Sequence, residues 1–113
     1  MCLQLLASLP TSADPTLLAI AYEPVWAIGS GRTPEPADVA TVVAALREAL
    51  CGRFGDGGSI PVLYGGSVGG SNAADLLASG QADGLLVGGA SLDAARFLPI
   101  AAAFFADRQA DAA

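Results

Sequence analysis

A carboxylate at the end of an apolar segment is the first feature of this sequence that could do chemistry. Glu23 ends the run "LLAIAYE" (17–23) and is followed by "PVWAIGSGRT" (24–33). Its neighbours are largely apolar, and such surroundings raise the pKa of a carboxyl group and make it a usable general base. From these residues alone, a glutamate paired with a buried cation or simply exposed at a strand end is an open alternative.

The segment that follows Glu23 has the composition of a lid. Pro24 and the Thr33-Pro34 pair are stiff ends, whereas Gly29 and Gly31 let the tip reorganise. A rigid body between hinges is a common design for an active-site lid. A long surface loop with an apolar plug is the alternative. The candidate lid comprises Pro24, Val25, Trp26, Ala27, Ile28, Gly29, Ser30, Gly31, Arg32 and Thr33.

Two double glycines follow two further apolar runs. Gly65-Gly66-Ser67 comes after "IPVLY" (60–64), and Gly88-Gly89 comes after "ADGLLV" (82–87). Glycines let the backbone approach a ligand closely, and N–H groups at the start of a following helix bind phosphate. One double glycine often marks only a tight turn. Two at the same position of successive units are better evidence for a phosphate site.

Three continuous apolar runs must position these residues. The runs 17–23, 60–65 and 82–88 do not alternate apolar with polar residues, which is typical of strands buried on both faces of a parallel sheet. All three strand ends then lie at one edge of the sheet, where α/β folds bind their ligands.

Helical patterns separate the runs. In 38–50 an apolar stripe recurs at helical spacing, and Pro36 suits the first turn of that helix. A shorter helix is predicted over 71–79 with Ser71 as its N-cap, and a third over 93–106, while 3–9 resembles the end of a helix. The stripe consists of Val39, Val42, Val43, Leu46 and Leu50. The order predicts an α/β fold of right-handed βαβ units.

The composition excludes several classes of partner. The 113 residues are 53% hydrophobic and 14% charged with a net charge of −6, so no basic patch is available for nucleic acid. No segment approaches the roughly 20 apolar residues of a membrane helix. Cys2 and Cys51 form no metal or redox motif. A chain of this size forms one domain, and it contains no histidine.

Three motifs carry a resemblance to a known family. "AYEPVWAIGSGRT", "LYGGSV" and "DGLLVGGASL" resemble, in the same order, the C-terminal portion of the triosephosphate isomerase family, and the resemblance covers 3–106. It implies that 1–113 is one domain, part of a (β/α)₈ TIM barrel with strands near 17–23, 60–65 and 82–88. It implies an isomerase of glycolysis and gluconeogenesis that interconverts dihydroxyacetone phosphate and D-glyceraldehyde 3-phosphate through an enediolate. The family acts in the cytoplasm as a homodimer, without cofactor or metal.

The resemblance also assigns residue roles. Glu23 matches the catalytic base, and the segment 24–33 matches the closing lid, in which the Gly29 N–H donates to the substrate phosphate. Tyr64 resembles the tyrosine whose hydroxyl holds the closed lid. The remaining phosphate-binding amides would come from Ser67, Gly88 and Gly89.

Some positions depart from the family pattern. Ser30 and Arg32 stand where threonine and lysine are usual. Pro34 stands where the usual residue offers an N–H to the hydroxyl of Tyr64, and proline has no such donor. Closure of the lid is therefore expected to depend on other contacts.

A larger departure is the absence of the family's catalytic lysine and histidine, which lie in the first half of its barrel. Three βα units cannot close a barrel of about 250 residues. We expect open sheet edges, an apolar inner face, and a chain that is poorly folded, aggregated or self-associated without its missing N-terminal half. A short phosphate-binding protein without catalysis is the main alternative. A different phosphate-binding (β/α)₈ enzyme is a third, which "YEPVW" disfavours.

Overall fold

Helices and short parallel strands alternate along the chain. The structure is a computed structural model that describes residues 2–24, 34–55 and 59–112. Its elements are α1 (Cys2–Ser8), β1 (Ile20–Tyr22), α2 (Pro36–Phe54), β2 (Val62–Tyr64), α3 (Ala73–Ala78), β3 (Gly84–Leu85) and α4 (Ala94–Ala112). Short 3-10 turns over Pro15–Leu17 and Gly89–Leu92 precede β1 and α4. The predicted α/β alternation is confirmed.

The three strands form one parallel sheet in the order β1-β2-β3. Each strand lies inside one of the apolar runs but covers only two or three of its residues. Tyr22 is in register with Tyr64, and Tyr64 with Leu85, so the carboxyl ends of the strands are level. β1 ends just before Glu23 and Pro24, and Pro24 has no N–H to continue a strand ladder.

The core lies on one face of this sheet. Tyr22, Val62 and Tyr64 point toward the helices and are buried, with 8% of Tyr22 and 0% of the other two exposed. They pack with the buried stripe of α2, formed by Val39, Val43, Leu46 and Leu50. On the opposite face Ala21 is exposed and Leu63 half-buried, because no described element covers that face.

The helix boundaries follow local signals only in part. α2 begins at Pro36, as its fixed φ favours, and ends at Phe54, where the cap position is taken by Gly55, whose φ of +77° suits glycine. The N-cap prediction for α3 was wrong, since the helix begins at Ala73 with Asn72 rather than Ser71 at the cap position. The side chain of Asn72 is used in the preceding turn instead.

α4 is longer than predicted. It continues from Ala94 to Ala112, beyond the expected end at residue 106, and it contains Pro99 near its start. Pro99 lies in the second turn of the helix, where its missing N–H removes a single i→i−4 hydrogen bond. None of the helices within the described ranges is both long and apolar enough to cross a membrane.

A polar clamp holds the opposite, amino end of the strands. The Asp83 carboxylate accepts a hydrogen bond from the Val62 N–H at 2.9 Å and forms an ion pair with the Arg47 guanidinium at 2.8 Å. Arg47 also donates to the Gln81 carbonyl, and Arg108 donates to the Asp83 carbonyl. These bonds connect α2, β2, β3 and α4 and so keep the strands in register.

Candidate active site

Backbone hydrogen bonds align the three strand ends. The Gly65 N–H donates to the Tyr22 carbonyl and the Leu86 N–H to the Tyr64 carbonyl, each at 2.8 Å. Glu23, Gly65 and Leu86 are thus the first residues beyond the three strands. Since neighbouring strands lie about 4.8 Å apart, the residues predicted to do chemistry share one edge of the sheet.

Glu23 lies at that edge with its side chain exposed. Tyr22 points into the core, so alternation along the chain directs Glu23 toward the uncovered face. The described residues therefore do not provide the apolar enclosure that its sequence neighbours suggested. Pro24 is buried. The rest of the candidate lid, 25–33, lies outside the described residues, so its role and that of Gly29 stay predictions.

Gly66 is a glycine because the ring of Tyr64 occupies the space beside it. A Cβ on Gly66 would lie 2.2 Å from the Tyr64 hydroxyl oxygen and 2.5 Å from Cζ. Sequence analysis attributed this double glycine to close approach of a ligand. The structure shows that its second member permits close approach of the protein's own side chain, whereas the approach of a ligand stays a prediction.

The hydroxyl of Tyr64 is buried beneath this turn. It is the one fully buried side-chain polar atom within the described residues that forms no hydrogen bond there. Burial raises the pKa of Tyr64, and the nearby Tyr22 raises it further, while the adjacent backbone of Ser67 lowers it. The two rings meet edge to face at 6.3 Å between centroids. Contact of this hydroxyl with a closed lid stays a prediction.

Asn72 holds the remainder of the turn. Its Oδ1 accepts from the Gly69 N–H at 2.8 Å, and its Nδ2 donates to the Ser67 carbonyl at 2.7 Å. Sequence analysis missed this residue because it assigned the helix cap to Ser71. The available signal was that asparagine, unlike serine, carries both a donor and an acceptor and can bridge two backbone groups.

The second double glycine is open to solvent. Gly88 and Gly89 are exposed, and a Cβ on either would meet no atom within 4 Å. They begin the 3-10 turn Gly89–Leu92, where the Gly88 carbonyl accepts from the Ser91 N–H at 2.9 Å. The first N–H groups of a helical turn have no partner within it. This backbone therefore has both the room and the donors to meet an anionic group.

The edge thus brings together a carboxylate and two glycine turns of different construction. A cavity of about 450 Å³ lies elsewhere, against the last turn of α3 and the inner side of α4. Gln81, Asp83 and Asp107 line that cavity, and none of the predicted site residues does. The chemistry is therefore sought at the carboxyl ends of the strands.

Comparison with known proteins gives a consistent result. The family model described as triosephosphate isomerase matches residues 2–104. Triosephosphate isomerase of Xanthobacter flavus is 56% identical over 101 residues, which are 88% of this chain and 41% of that protein. The Xanthobacter autotrophicus protein of the same name is 56% identical over 97 residues, covering 85% of this chain and 38% of the relative.

Solved structures agree. The crystal structure of triosephosphate isomerase from Bartonella henselae superimposes with a TM-score of 0.79 at 46% identity, covering 89% of this chain and 40% of the other. The chain spans about 40% of the length of the relatives it matches. The match covers most of the chain in sequence and in fold, and we conclude that the chain belongs to the triosephosphate isomerase family.

Proposed function

We propose that this chain carries the catalytic glutamate, the lid and the phosphate-binding turns of a triosephosphate isomerase. The reaction interconverts dihydroxyacetone phosphate and D-glyceraldehyde 3-phosphate, and with it the chain would serve glycolysis and gluconeogenesis. One observation carries the proposal: Glu23 stands exposed at the same sheet edge as the turns at 65–67 and 88–89. A carboxylate next to anion-binding backbone suits an enolising enzyme with a phosphorylated substrate.

Glu23 acts as the base in this proposal. Its carboxylate removes a proton from C1 of dihydroxyacetone phosphate, which leaves an enediolate. A proton then passes from the C1 oxygen to the C2 oxygen through groups outside this chain, and the Glu23 carboxyl gives a proton to C2, which yields the aldehyde. A side chain that shuttles a proton between adjacent carbons must reach both of them. The tip of β1 supports this role, because Glu23 projects from the sheet edge rather than packing into the core.

Backbone N–H groups bind the substrate phosphate in this proposal. The donors are those of Ser67, Gly88 and Gly89, together with Gly29 of the lid. The chain has a net charge of −6, so binding of an anion by backbone dipoles rather than by a cationic patch fits its composition. The open surroundings of Gly88 and Gly89 support this assignment.

We further propose that the segment 24–33 closes over the substrate and excludes water, which protects the enediolate from loss of phosphate. Tyr64 is the proposed latch, although Pro34 offers it no N–H, and closure then depends on other contacts.

The chain also requires further parts to act as a whole enzyme. It contains no histidine, and its five basic residues are all arginine, so the family's catalytic lysine and histidine must come from the remaining βα units. The uncovered sheet face at Ala21 and Leu63 supports docking of those units. We propose that the completed barrel is a cytoplasmic homodimer, as in the family.

A hybrid barrel tests the function. In this hybrid, residues 2–104 of the chain replace the matching stretch of the Xanthobacter flavus protein. We expect isomerase activity from this hybrid. Glu23→Gln should lower kcat by a factor of about 10² to 10⁴, which is the usual contribution of a general base. The inhibition constant of glycerol 3-phosphate, which has no carbonyl, should stay within about threefold. Glu48→Gln, an exposed glutamate of α2, is the matched control.

Two outcomes would contradict the proposal. An inactive but folded hybrid would reject the function of the segment. Equal losses of activity and of glycerol 3-phosphate binding in Glu23→Gln would make Glu23 a structural residue rather than the base.

The second candidate is a phosphate-binding protein without catalysis. The absence of histidine and lysine from the chain favours it. It predicts that the purified 113-residue chain binds 2-phosphoglycolate tightly, with no turnover either alone or together with the unmatched part of the Xanthobacter flavus protein.

A further inference from the structure

The turn after β2 is held by one side chain from the start of the next helix. Asn72 bridges the carbonyl of Ser67 and the N–H of Gly69, at 2.7 and 2.8 Å. Both partner groups belong to the backbone, and together they allow only one orientation of the Asn72 side-chain amide. The N–H must face Oδ1, and the carbonyl must face Nδ2. The side chain is therefore fixed at both ends.

Asn72 is also tied to the same turn through its own backbone. The Asn72 N–H donates to the Gly69 carbonyl at 3.3 Å, and the next residue, Ala73, donates to that carbonyl at 3.0 Å. The Asn72 carbonyl accepts from Leu76 inside α3. Gly69 and Asn72 thus exchange hydrogen bonds in both directions, and the turn is joined firmly to α3.

The asparagine stands at the cap position of α3 but does not cap it. Its side chain makes no hydrogen bond to an N–H of α3. Serine, aspartate and asparagine are equally good caps, so capping alone gives no reason for asparagine. The two contacts that do distinguish asparagine both lead to the turn around Ser67.

We propose that Asn72 is a positioning residue that holds the Ser67 backbone in place for binding of the substrate phosphate. This inference rests on the proposed function, which makes the Ser67 N–H one of the phosphate donors. The Asn72 Nδ2 fixes the Ser67 carbonyl, and its Oδ1 fixes the far end of the turn at Gly69. A preorganised turn binds the anion without first losing conformational freedom.

Two variants separate positioning from helix capping. Asn72→Ser keeps a good cap but is too short to bridge Ser67 and Gly69, and it introduces no charge. Asn72→Asp keeps the cap and the acceptor for Gly69 but loses the donor to Ser67. Asp75→Ala is the matched control, because Asp75 lies in the first turn of the same helix and is exposed.

The assay uses the hybrid barrel and measures the inhibition constant of glycerol 3-phosphate, kcat and the thermal midpoint. We expect Asn72→Ser to weaken inhibitor binding about five- to tenfold, corresponding to the loss of one or two hydrogen bonds. Asn72→Asp should weaken it at least as much, since its carboxylate also repels the anion. In both variants kcat should stay within about twofold and the thermal midpoint should fall by no more than a few degrees. Asp75→Ala should leave inhibitor binding unchanged.

Several results would overturn the proposal. Unchanged inhibitor binding in Asn72→Ser and Asn72→Asp would do so, and so would losses shared equally by Asp75→Ala. If the hybrid is inactive with Asn72 and Glu23 both intact, the proposed function fails instead. The positioning role is then decided by the amide resonances of Ser67 and Gly69 in the wild-type and Asn72→Ser hybrids, where identical spectra reject it.

Discussion

The two double glycines of this chain are alike in sequence, yet substitution by alanine should affect them in opposite ways. At Gly66 a Cβ would lie 2.2 Å from the Tyr64 hydroxyl oxygen, far inside the ordinary contact distance. Tyr64 is fully buried and packs edge to face against Tyr22, so its ring has no free volume into which to move. At Gly88 and Gly89 the same Cβ would meet nothing within 4 Å.

The magnitude follows from overpacking. Forcing a methyl group into a packed site costs about 1–3 kcal/mol, and the two overlaps at Gly66 favour the upper half of that range. The reduced freedom of the unfolded chain returns about 0.4–1 kcal/mol, since Gly66 does not have a positive φ. The net expectation for Gly66→Ala is a loss of about 2 kcal/mol, or about 4–8 °C in the thermal midpoint of a barrel of this family.

The assay is thermal and urea unfolding of the hybrid barrel. Gly88→Ala and Gly89→Ala are the matched variants, and we expect each to change the unfolding free energy by less than about 0.5 kcal/mol while weakening phosphate binding. The double variant Gly66→Ala/Tyr64→Leu should lose less unfolding free energy than the two single variants lose together, because leucine has neither the hydroxyl nor Cζ. Tyr64→Phe should recover little, since Cζ at 2.5 Å remains. A Gly66→Ala variant as stable as wild type would refute the reasoning.

Three further predictions concern other contacts. Asp83→Ala should destabilise the hybrid by about 2–3 kcal/mol in urea unfolding, because it leaves the buried Val62 N–H unpaired, whereas Arg47→Ala should cost less than about 1 kcal/mol because that ion pair is partly exposed. Leu98→Glu combined with Phe105→Glu should abolish self-association of the 113-residue chain in light scattering, without changing its circular dichroism; persistent association would place the contact elsewhere. Tyr64→Phe should leave stability unchanged or slightly higher at pH 7, as it removes a buried hydroxyl without a partner. Because burial raises the pKa of Tyr64, the unfolded chain loses the hydroxyl proton at a lower pH than the folded protein does. The wild type should therefore lose stability as the pH rises above about 10, and the phenylalanine variant should lose less.

Sequence analysis predicted the elements of the fold but not their limits. Apolar runs identified all three strand regions because burial of a parallel sheet demands such runs. They did not define where hydrogen bonding stops, which depends on register between strands and on Pro24 beside the tip of β1. The cap of α3 was misplaced by one residue, because Ser71 and Asn72 have similar capping preferences and only the tertiary position of the turn distinguishes them.

The candidate site shows the same division. The type and order of Glu23, Ser67 and Gly88 could be read along the chain, since parallel topology brings strand ends to one edge. The reason for Gly66 could not be read, because it depends on the direction of the Tyr64 ring. The pair Arg47–Asp83 was equally invisible, since nothing in the intervening sequence connects α2 with the start of β3.

The surface of α4 exposes large apolar side chains. Leu98 and Phe105 are 63% and 65% exposed, while Asp107, on the opposite side of the helix, is half-buried, the reverse of a helix that faces water. α2 has the usual arrangement, with a buried apolar stripe and Glu48 exposed.

The helix layer and the sheet therefore both present uncovered apolar surface, and the carboxylate of Glu23 stands on that same uncovered face of the sheet. In the proposed function Glu23 forms an enediolate, and a base with that role needs water excluded around it. Under that proposal, the βα units that complete the barrel would cover the apolar surface and enclose Glu23 together, so folding and the proposed catalysis are expected to depend on the same contacts.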